Sequence, residues 1–274
     1  MKNLCLFIPV TIICFACGPD KPKENITLPP VENTTPKIPE LKFSIENQYP
    51  HDVNSFTEGL LFHEGKLFES TGSPDNLPQT KSVFGSVDLK NGKIDVKAEI
   101  DRELFGEGIV FLNGKVFQLT YKSQTGFIYD GKTFKNIGKF NYTNREGWGL
   151  TTDGKHLIMS DGTSYLTFMD PSNFSVIKRL DVAENGYVVE HLNELEFING
   201  FIYANIWTTN LIVKIDPNSG DIVGKMDLSA LMYESKVKNP NALETNGIAY
   251  DSVSNKILVT GKLWPTIYEI KFPI

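Results

Sequence analysis

The stretch LFGEGIVFLNGKVFQLTY, residues Leu104–Tyr121, decides the fold of this chain. It contains two short apolar segments joined by Asn113-Gly114, and Asn-Gly between β-branched or aromatic residues is a strong signal for a tight β-hairpin. At the start of the first segment, Glu107 stands between two glycines. The stretch therefore predicts an antiparallel strand pair with a carboxylate at its entrance.

The same pattern recurs four more times along the chain. The copies read SFTEGLLFHEGKLFESTG, REGWGLTTDGKHLIMSDG, HLNELEFINGFIYANIWT and ETNGIAYDSVSNKILVTG, and they begin at Ser55, Arg145, His191 and Glu244. Each of the first four hairpins is followed by a second pair of apolar segments with its own turn, as in SVFGSVDLKNGKIDVKAEI. Four strands per unit, repeated every 40 to 50 residues or so, are typical of β-propeller blades. The sequence predicts an all-β, five-bladed β-propeller.

The last blade needs a strand from the start of the domain. Its hairpin is followed by a single further strand, predicted over residues 266–272, so we expect residues 42–48 to supply the missing outer strand. This closure removes the free sheet edges of an open array. The propeller domain is predicted over residues 42–274, with little helix beyond a turn at 228–233. A large antiparallel sandwich is the rival, which the even repeat disfavours.

The N-terminal segment predicts export and lipid anchoring. Lys2 precedes an apolar segment too short to span a bilayer comfortably, and the segment ends at Phe15-Ala16-Cys17-Gly18. This resembles a bacterial lipoprotein signal over residues 1–16, with Cys17 as the acylated residue that binds the bilayer; an ordinary secretory leader is the alternative. Residues 17–41 are rich in Pro, Thr, Asn and charge, which predicts a disordered tether. We expect a periplasmic or surface-exposed monomer.

Composition excludes several classes of function. The 274 residues carry a net charge of -6, which argues against a nucleic-acid partner because phosphate binding needs a basic surface. All three cysteines lie in the leader, so the folded domain has neither a disulfide nor a cysteine nucleophile. The four histidines show no ligand spacing, and no G-x-S-x-G or phosphate-binding glycine loop is present. We therefore expect no metal and no cofactor at the site.

Each repeat places one residue just before its recurring glycine, or at the equivalent point. These residues are Glu58, Glu107, Trp148, Asn193 and Asn246. In a propeller the innermost strands line a central channel, so the five side chains are expected to converge at one mouth. They differ in type, whereas a structural ring is expected to repeat one residue. Aromatic walls with a few convergent polar groups are typical of a small-ligand pocket.

Other chemically useful residues fall at the same ends of the repeats. They are Glu194, Trp207, Lys262 and Trp264. Among the acids, Glu107 has two interpretations. A desolvated carboxylate has a raised pKa and can carry a proton near neutral pH; alternatively, Glu107 only accepts hydrogen bonds from backbone amides at the channel entrance. The mixed ring favours the first interpretation.

At these residues the sequence resembles the glutaminyl-peptide cyclotransferases of the plant and bacterial type. The resemblance covers the domain from about residue 42 to 274, in order and with fitting spacing. Its motifs are HDVNSFTEGL from His51, FGEGI from Phe105, GWGLTTDG from Gly147, LNELEFINGFIYANIW from Leu192, NGIAYD from Asn246 and VTGKLWPTIYEI from Val259. The resemblance implies a five-bladed β-propeller that needs no metal. It also implies cyclisation of the N-terminal glutaminyl residue of a peptide or protein to pyroglutamate, with release of ammonia.

The matching motifs imply roles for individual residues. Glu107 in FGEGI is the candidate proton carrier, and Asn193 and Lys262 are candidates for holding the carboxamide oxygen as it becomes anionic. Trp148 and Trp207 are expected to wall the pocket. The other expected substrate contacts are Glu58, Tyr121, Glu194, Asn246 and Trp264.

Two positions depart from the family pattern. Tyr121 stands where Trp is usual, which makes one wall smaller and more polar. Glu58 stands where Gln is also common, and as a second acid near Glu107 it raises the pKa of one of the two. Both departures are expected to affect substrate preference or pH optimum without breaking the reaction.

Two other functions remain open at the level of sequence. A non-catalytic envelope propeller that binds peptides or small ligands has no need of Glu107, Asn193 and Lys262 together. A propeller hydrolase acting on sugars or lactones needs a calcium-binding cluster in the channel, to which Asn193, Glu194 and Asn246 could contribute.

Overall fold

Five four-stranded antiparallel sheets surround a central channel in the computed structural model of the protein, which describes residues 37–273. The first strand of the chain, β1 (Ser44–Pro50), belongs to the blade that is completed last. Blade 1 consists of β2 (Thr57–His63), β3 (Lys66–Thr71), β4 (Val83–Asp88) and β5 (Lys93–Glu99). Blade 2 consists of β6 (Gly106–Leu112), β7 (Lys115–Thr120), β8 (Thr125–Asp130) and β9 (Asn136–Asn141).

The remaining blades follow in chain order. Blade 3 consists of β10 (Leu150–Thr152), β11 (Leu157–Met159), β12 (Tyr165–Met169) and β13 (Val176–Asp181). A small hairpin follows, formed by β14 (Ala183–Glu184) and β15 (Tyr187–Val188). Blade 4 consists of β16 (Leu192–Ile198), β17 (Phe201–Ile206), β18 (Leu211–Ile215) and β19 (Ile222–Asp227). Blade 5 consists of β20 (Thr245–Asp251), β21 (Lys256–Gly261), β22 (Thr266–Lys271) and β1.

The predicted architecture and its closure are confirmed. β1 pairs antiparallel with β22 as the outermost strand of blade 5, so both ends of the domain lie in one sheet. The predicted turn at Asn113-Gly114 has positive φ at both residues, 52° and 72°, which matches the twist of a two-residue hairpin. Within residues 37–273, helix is limited to α1 (Ser229–Lys238), which is longer than the predicted turn, and a single 3₁₀ turn, Arg102–Leu104.

Apolar side chains hold neighbouring blades together. The described residues form five buried clusters, one at each interface between blades. Between blades 1 and 2, for example, Leu61 and Phe68 pack with Ile109 and Val116. Every blade therefore depends on both neighbours, as expected of a closed repeat array.

The folded region begins slightly before the predicted boundary at residue 42. Leu41 donates a backbone hydrogen bond to Lys225 in β19, and Lys225 donates one to Pro39. These residues cover the exposed edge of blade 4. The expected leader, the lipidation at Cys17 and most of the expected tether lie outside the described residues. No helix in the described part of the chain is long and apolar enough to cross a membrane.

The innermost strands position the channel residues through β-bulges. The first strands of the blades, β2, β6, β10, β16 and β20, contact one another around the axis. Four of them shift register near their entrance, between Thr57 and Gly59, Gly106 and Ile109, Leu192 and Leu195, and Thr245 and Ile248. A bulge redirects a side chain out of the regular alternation. The ring residues Glu58, Glu107, Asn193 and Asn246 lie inside these bulges.

Candidate active site

A pocket of about 180 Å³, open to solvent, lies at the mouth of the channel where the bulges converge. The pocket is lined by Phe56, Glu58, Phe105, Glu107, Tyr121, Trp148, Asn193, Trp207, Glu244 and Lys262. Seven of the ten residues expected from sequence are in this set, and three of them, Glu194, Asn246 and Trp264, are not.

Glu58 and Lys262 form a buried ion pair on one side of the pocket. The Lys262 Nζ lies 2.8 Å from Oε1 of Glu58, and both side chains are nearly fully buried. Asn246 lies behind the pair and donates from Nδ2 to Glu58 Oε2 at 3.0 Å and to the Thr57 carbonyl at 2.9 Å. Burial raises the pKa of Glu58 to about 7, against the opposing effect of Lys262. Burial tends to lower the pKa of Lys262, but the surrounding carboxylates, Glu58 first, raise it above its ordinary value.

Glu107 is the carboxylate best suited to exchange a proton. It is 4% exposed, and burial, followed by the negative charge of Glu58, raises its pKa well above the ordinary value. Its backbone carbonyl accepts a hydrogen bond from Ser70 Oγ at 2.6 Å, which fixes the bulge below it. Among the described residues, no backbone amide donates to its carboxylate. The alternative interpretation, in which this carboxylate only binds backbone amides, does not describe Glu107.

Glu194 has that structural role instead. Its two carboxylate oxygens accept hydrogen bonds from the backbone N–H of Leu60 in β2 and of Ile248 in β20, at 3.1 and 2.9 Å. Two residues further along β16, Glu196 accepts from the N–H of Tyr250 at 2.8 Å. These carboxylates pair amides on the channel edges of neighbouring innermost strands, which otherwise have no partner. Glu194 therefore closes the channel below the pocket and does not line it.

Asn193 presents a carboxamide to the pocket. The residue is 3% exposed, and its Oδ1 is buried with no hydrogen-bond partner among the described residues. Its main chain is fixed, since its carbonyl accepts from Ser160 Oγ at 2.7 Å. A buried amide oxygen without a partner is costly. A polar ligand in the pocket can supply that partner.

Two tryptophans wall the pocket, each oriented by a carboxylate. The rings of Trp148 and Trp207 meet edge to face at 5.5 Å. Trp148 Nε1 donates to Glu146 at 3.0 Å, and Trp207 Nε1 donates to Glu244 at 2.6 Å. Both indoles are therefore held in fixed positions, which lowers the entropy cost of binding a ligand against them.

Trp264 requires a correction, because it is a core residue. It is fully buried in the cluster between blades 4 and 5, and its Nε1 donates to the Leu243 carbonyl at 2.7 Å. Gly261 leaves room for this indole, since a Cβ there would lie 2.3 Å from the ring. The third tryptophan thus supports the turn that carries Lys262 from behind.

Three lining residues were missed by the sequence reasoning. Phe56 and Phe105 meet edge to face at 6.0 Å, and Glu244 precedes β20. They lie just before the innermost strands, whereas the sequence predictions used the position next to the recurring glycine and the end of the second strand. The aromatic residue before Glu58 and Glu107 recurs in SFTEG and LFGEG, which was the available signal.

The described residues contain no group of three or more His, Cys, Asp or Glu side chains arranged to hold a metal ion. Glu194 and Glu196 bind backbone amides, and Glu58 binds Lys262. The donor set thus offers acid–base and hydrogen-bonding chemistry.

Comparisons with known proteins agree with this geometry. A family model described as glutamine cyclotransferase matches residues 15–272. The chain is 41% identical over 226 residues to a glutaminyl-peptide cyclotransferase of Arabidopsis thaliana. This match covers 82% of this chain and 69% of the relative. It also resembles the crystal structure of Myxococcus xanthus glutaminyl cyclase. That match has a TM-score of 0.76 and 34% identity and covers 86% of this chain and 98% of that one.

Proposed function

The chain belongs to the glutamine cyclotransferase family, and we propose that it converts the N-terminal glutaminyl residue of peptides or proteins to pyroglutamate and releases ammonia. The observation that carries the proposal is Glu107: a buried carboxylate without an amide partner, next to the Glu58–Lys262 pair, in a pocket walled by two indoles.

The reaction is an intramolecular acyl transfer. The α-amine attacks the side-chain carboxamide carbon of its own residue, a C–N bond forms, and the carboxamide nitrogen leaves as ammonia. Since both reacting groups belong to one residue, the pocket mainly has to hold the folded rotamer. Trp148 and Trp207, whose rings meet edge to face, form one wall of the pocket and so limit the conformations open to the substrate.

Glu107 is proposed to carry the proton. As the new bond forms, its carboxylate accepts the proton that the α-amine loses, and it then returns this proton to the leaving nitrogen. A carboxyl group with a raised pKa suits both steps, because it accepts and releases a proton near neutral pH. Glu58 is proposed to orient the amine.

Lys262 and Asn193 are proposed to stabilise the oxyanion. The Lys262 ammonium has three N–H donors, and its ion pair with Glu58 leaves donors for the substrate. The Asn193 carboxamide lines the same pocket, and its Nδ2 carries two N–H donors for the oxyanion. Donors held in a buried site stabilise developing negative charge more strongly than water does.

The test is release of ammonia from a Gln-initiated peptide by the purified domain between about pH 6 and 9, where a tuned carboxyl group can work. We expect turnover with that peptide, none with its Nα-acetylated form, and no loss of rate after treatment with a chelator. Absence of turnover with binding retained would favour the non-catalytic binding propeller. Loss of rate with the chelator would contradict a metal-independent reaction.

We also propose, from the sequence alone, that the chain is exported and anchored through acylated Cys17 as a monomer. Substituting Cys17→Ser is expected to move the protein from the membrane fraction to the soluble fraction of its cell. Unchanged fractionation would contradict the anchor, and size-exclusion chromatography of the domain checks the monomer.

A further inference from the structure

The turn that carries Lys262 has a strained backbone. It runs from Gly261 to Trp264 and is closed by a hydrogen bond from the Trp264 N–H to the Gly261 carbonyl at 3.1 Å. Leu263 is the third residue of this four-residue β-turn and has a φ of 60°. A β-turn with positive φ at its third residue favours glycine or asparagine there. A bulky residue at positive φ persists only when its surroundings impose the conformation.

Three contacts from other parts of the fold impose it. The Leu263 N–H donates to the Ser55 carbonyl at 2.8 Å, and Asn239 Nδ2 donates to the Leu263 carbonyl at 2.8 Å. The third contact comes from His51, whose Nδ1 lies 2.8 Å from the Trp264 carbonyl. His51 belongs to the segment between β1 and β2, so this contact joins blade 5 to the start of blade 1.

His51 is also paired on its other side. Its Nε2 lies 3.1 and 3.2 Å from the carboxylate oxygens of Glu69 in β3, and both side chains are fully buried. A carbonyl only accepts, so Nδ1 carries a proton and donates to the Trp264 carbonyl, while Nε2 faces the carboxyl group of Glu69. Burial lowers the pKa of His51, but the charge of Glu69 more than offsets this and raises it above the ordinary value. The imidazole therefore bridges the Trp264 carbonyl and the Glu69 carboxyl group.

The same carboxylate holds the strand that carries Glu58. Thr57 Oγ1 donates to Glu69 Oε1 at 2.7 Å, and Thr57 immediately precedes Glu58 in the bulge of β2. The His51–Glu69 pair therefore contacts both segments whose side chains meet in the pocket: the turn with Lys262 and the bulge with Glu58.

We infer that His51 and Glu69 are positioning residues of the active site, which hold the strained Lys262 turn and the Glu58 bulge in register so that the Lys262–Glu58 pair forms in the pocket. The inference rests on the proposed function only for its kinetic consequence. The geometric part concerns the ion pair itself.

The kinetic test compares His51→Phe with a control at the same blade closure. The control is Glu269→Ala, which removes the bonds from Asn47 and Tyr49 that tie β1 to β22 and lies outside the pocket lining. Both variants are expected to lower the melting temperature. Only His51→Phe is expected to lower kcat per folded molecule, by roughly 10- to 100-fold, as misplaced catalytic groups do.

Two conservative variants separate positioning from packing. Asparagine at position 51 can place its amide nitrogen near the position of Nδ1 and keep the bond to the Trp264 carbonyl. Glutamine can reach Glu69 and loses that bond. We expect His51→Asn to retain a higher kcat than His51→Gln, and equal values would overturn the inference even if His51→Phe does not fold.

An NMR titration of the Glu58 carboxyl group supplies a readout without turnover. The charged groups that face Glu58 are Lys262, Glu107, Glu194 and Glu244. When Lys262 is no longer held beside it, the Glu58 pKa is expected to rise above about 7 in His51→Phe and to stay unchanged in Glu269→Ala. An unshifted Glu58, or a kcat for His51→Phe within twofold of the control, overturns the inference. Failure of the proposed function is recognised separately, as absence of turnover in the unsubstituted protein.

Discussion

Lys262 and Glu58 meet at 2.8 Å across the boundary between the last blade and the first. Both side chains are buried, and neither has a second ion-pair partner in the part of the chain that the structure describes. A buried pair adds little net stability while intact, because desolvation of the two charges offsets their attraction, but removing one partner leaves a costly unpaired charge. It thus links the stability of the closure to the electrostatics of the pocket.

Lys262→Met is expected to lower both the activity and the stability of the protein. Without the ammonium, Glu58 is a buried acid beside Glu107, so its pKa rises further above about 7. We expect kcat to fall by about 10²- to 10³-fold, as for loss of an oxyanion donor. Stability at pH 8 should fall by about 3 kcal/mol or more, and by less at pH 5, where Glu58 is protonated. Urea denaturation at the two pH values checks this, and the Lys262→Met/Glu58→Gln double variant should recover stability without recovering activity.

Glu107→Gln should preserve the fold and abolish most turnover. The amide keeps the shape of the side chain and removes a buried acid, so the melting temperature should stay level or rise at pH 8. The loss of a proton carrier should lower kcat by about 10²- to 10⁴-fold. The control is Glu103→Gln, an exposed acid three residues before the start of β6. A near-normal rate in Glu107→Gln would remove the proton-carrier role.

Gly162→Ala tests the wall formed by Trp148. At Gly162, where φ is 79°, an added Cβ would lie 2.7 Å from the indole of Trp148 and displace it. We expect KM for a Gln-peptide to rise several-fold with a smaller change in kcat. Gly154→Ala has a similar φ of 85° and nothing within 4 Å of its Cβ, so it carries the backbone cost alone. Equal KM values in the two variants would contradict a binding role for this wall.

Stability should fall as the pH rises from about 5 to about 8. Burial raises the pKa of Glu58 to about 7 and of Glu196 to about 8, above the ordinary value of 4.5. Between these values the folded protein binds more protons than the unfolded chain, so the free energy of unfolding decreases with pH. Glu196→Gln should flatten this dependence while keeping an acceptor for the Tyr250 N–H. Melting temperatures of the unsubstituted protein and of Glu196→Gln at pH 5, 6.5 and 8 check this prediction. The same pH dependence in both proteins would refute it.

The architecture was predictable because its signals are local. Asn113-Gly114 specifies a hairpin by its own backbone preferences, and the repeat period follows from counting such hairpins. The convergence of Glu58, Glu107 and Asn193 was also predictable, since each blade places its bulge at the same point of the innermost strand.

The surroundings of the site depend on contacts between blades, which one repeat does not encode. Glu194 looked equivalent to its neighbour Asn193, yet amides of β2 and β20 take up its carboxylate. Trp264 looked like a pocket wall next to Lys262, but the positive φ of Leu263 turns the chain so that the indole enters the core. The places of Glu194 and Trp264 are therefore set by contacts among blades 1, 4 and 5.

The pairing of β1 with β22 also affects how the protein can fold as it is synthesised. Asn47 and Glu269, which bond across this pair, are 222 residues apart, so β1 leaves the ribosome long before its partner exists. Contacts over such separations form slowly, and an unpaired strand is prone to aggregation in the interval. Because Glu58 and Lys262 meet at the same seam, the pocket is assembled only when nearly the whole domain has emerged. A nascent chain therefore carries no premature activity.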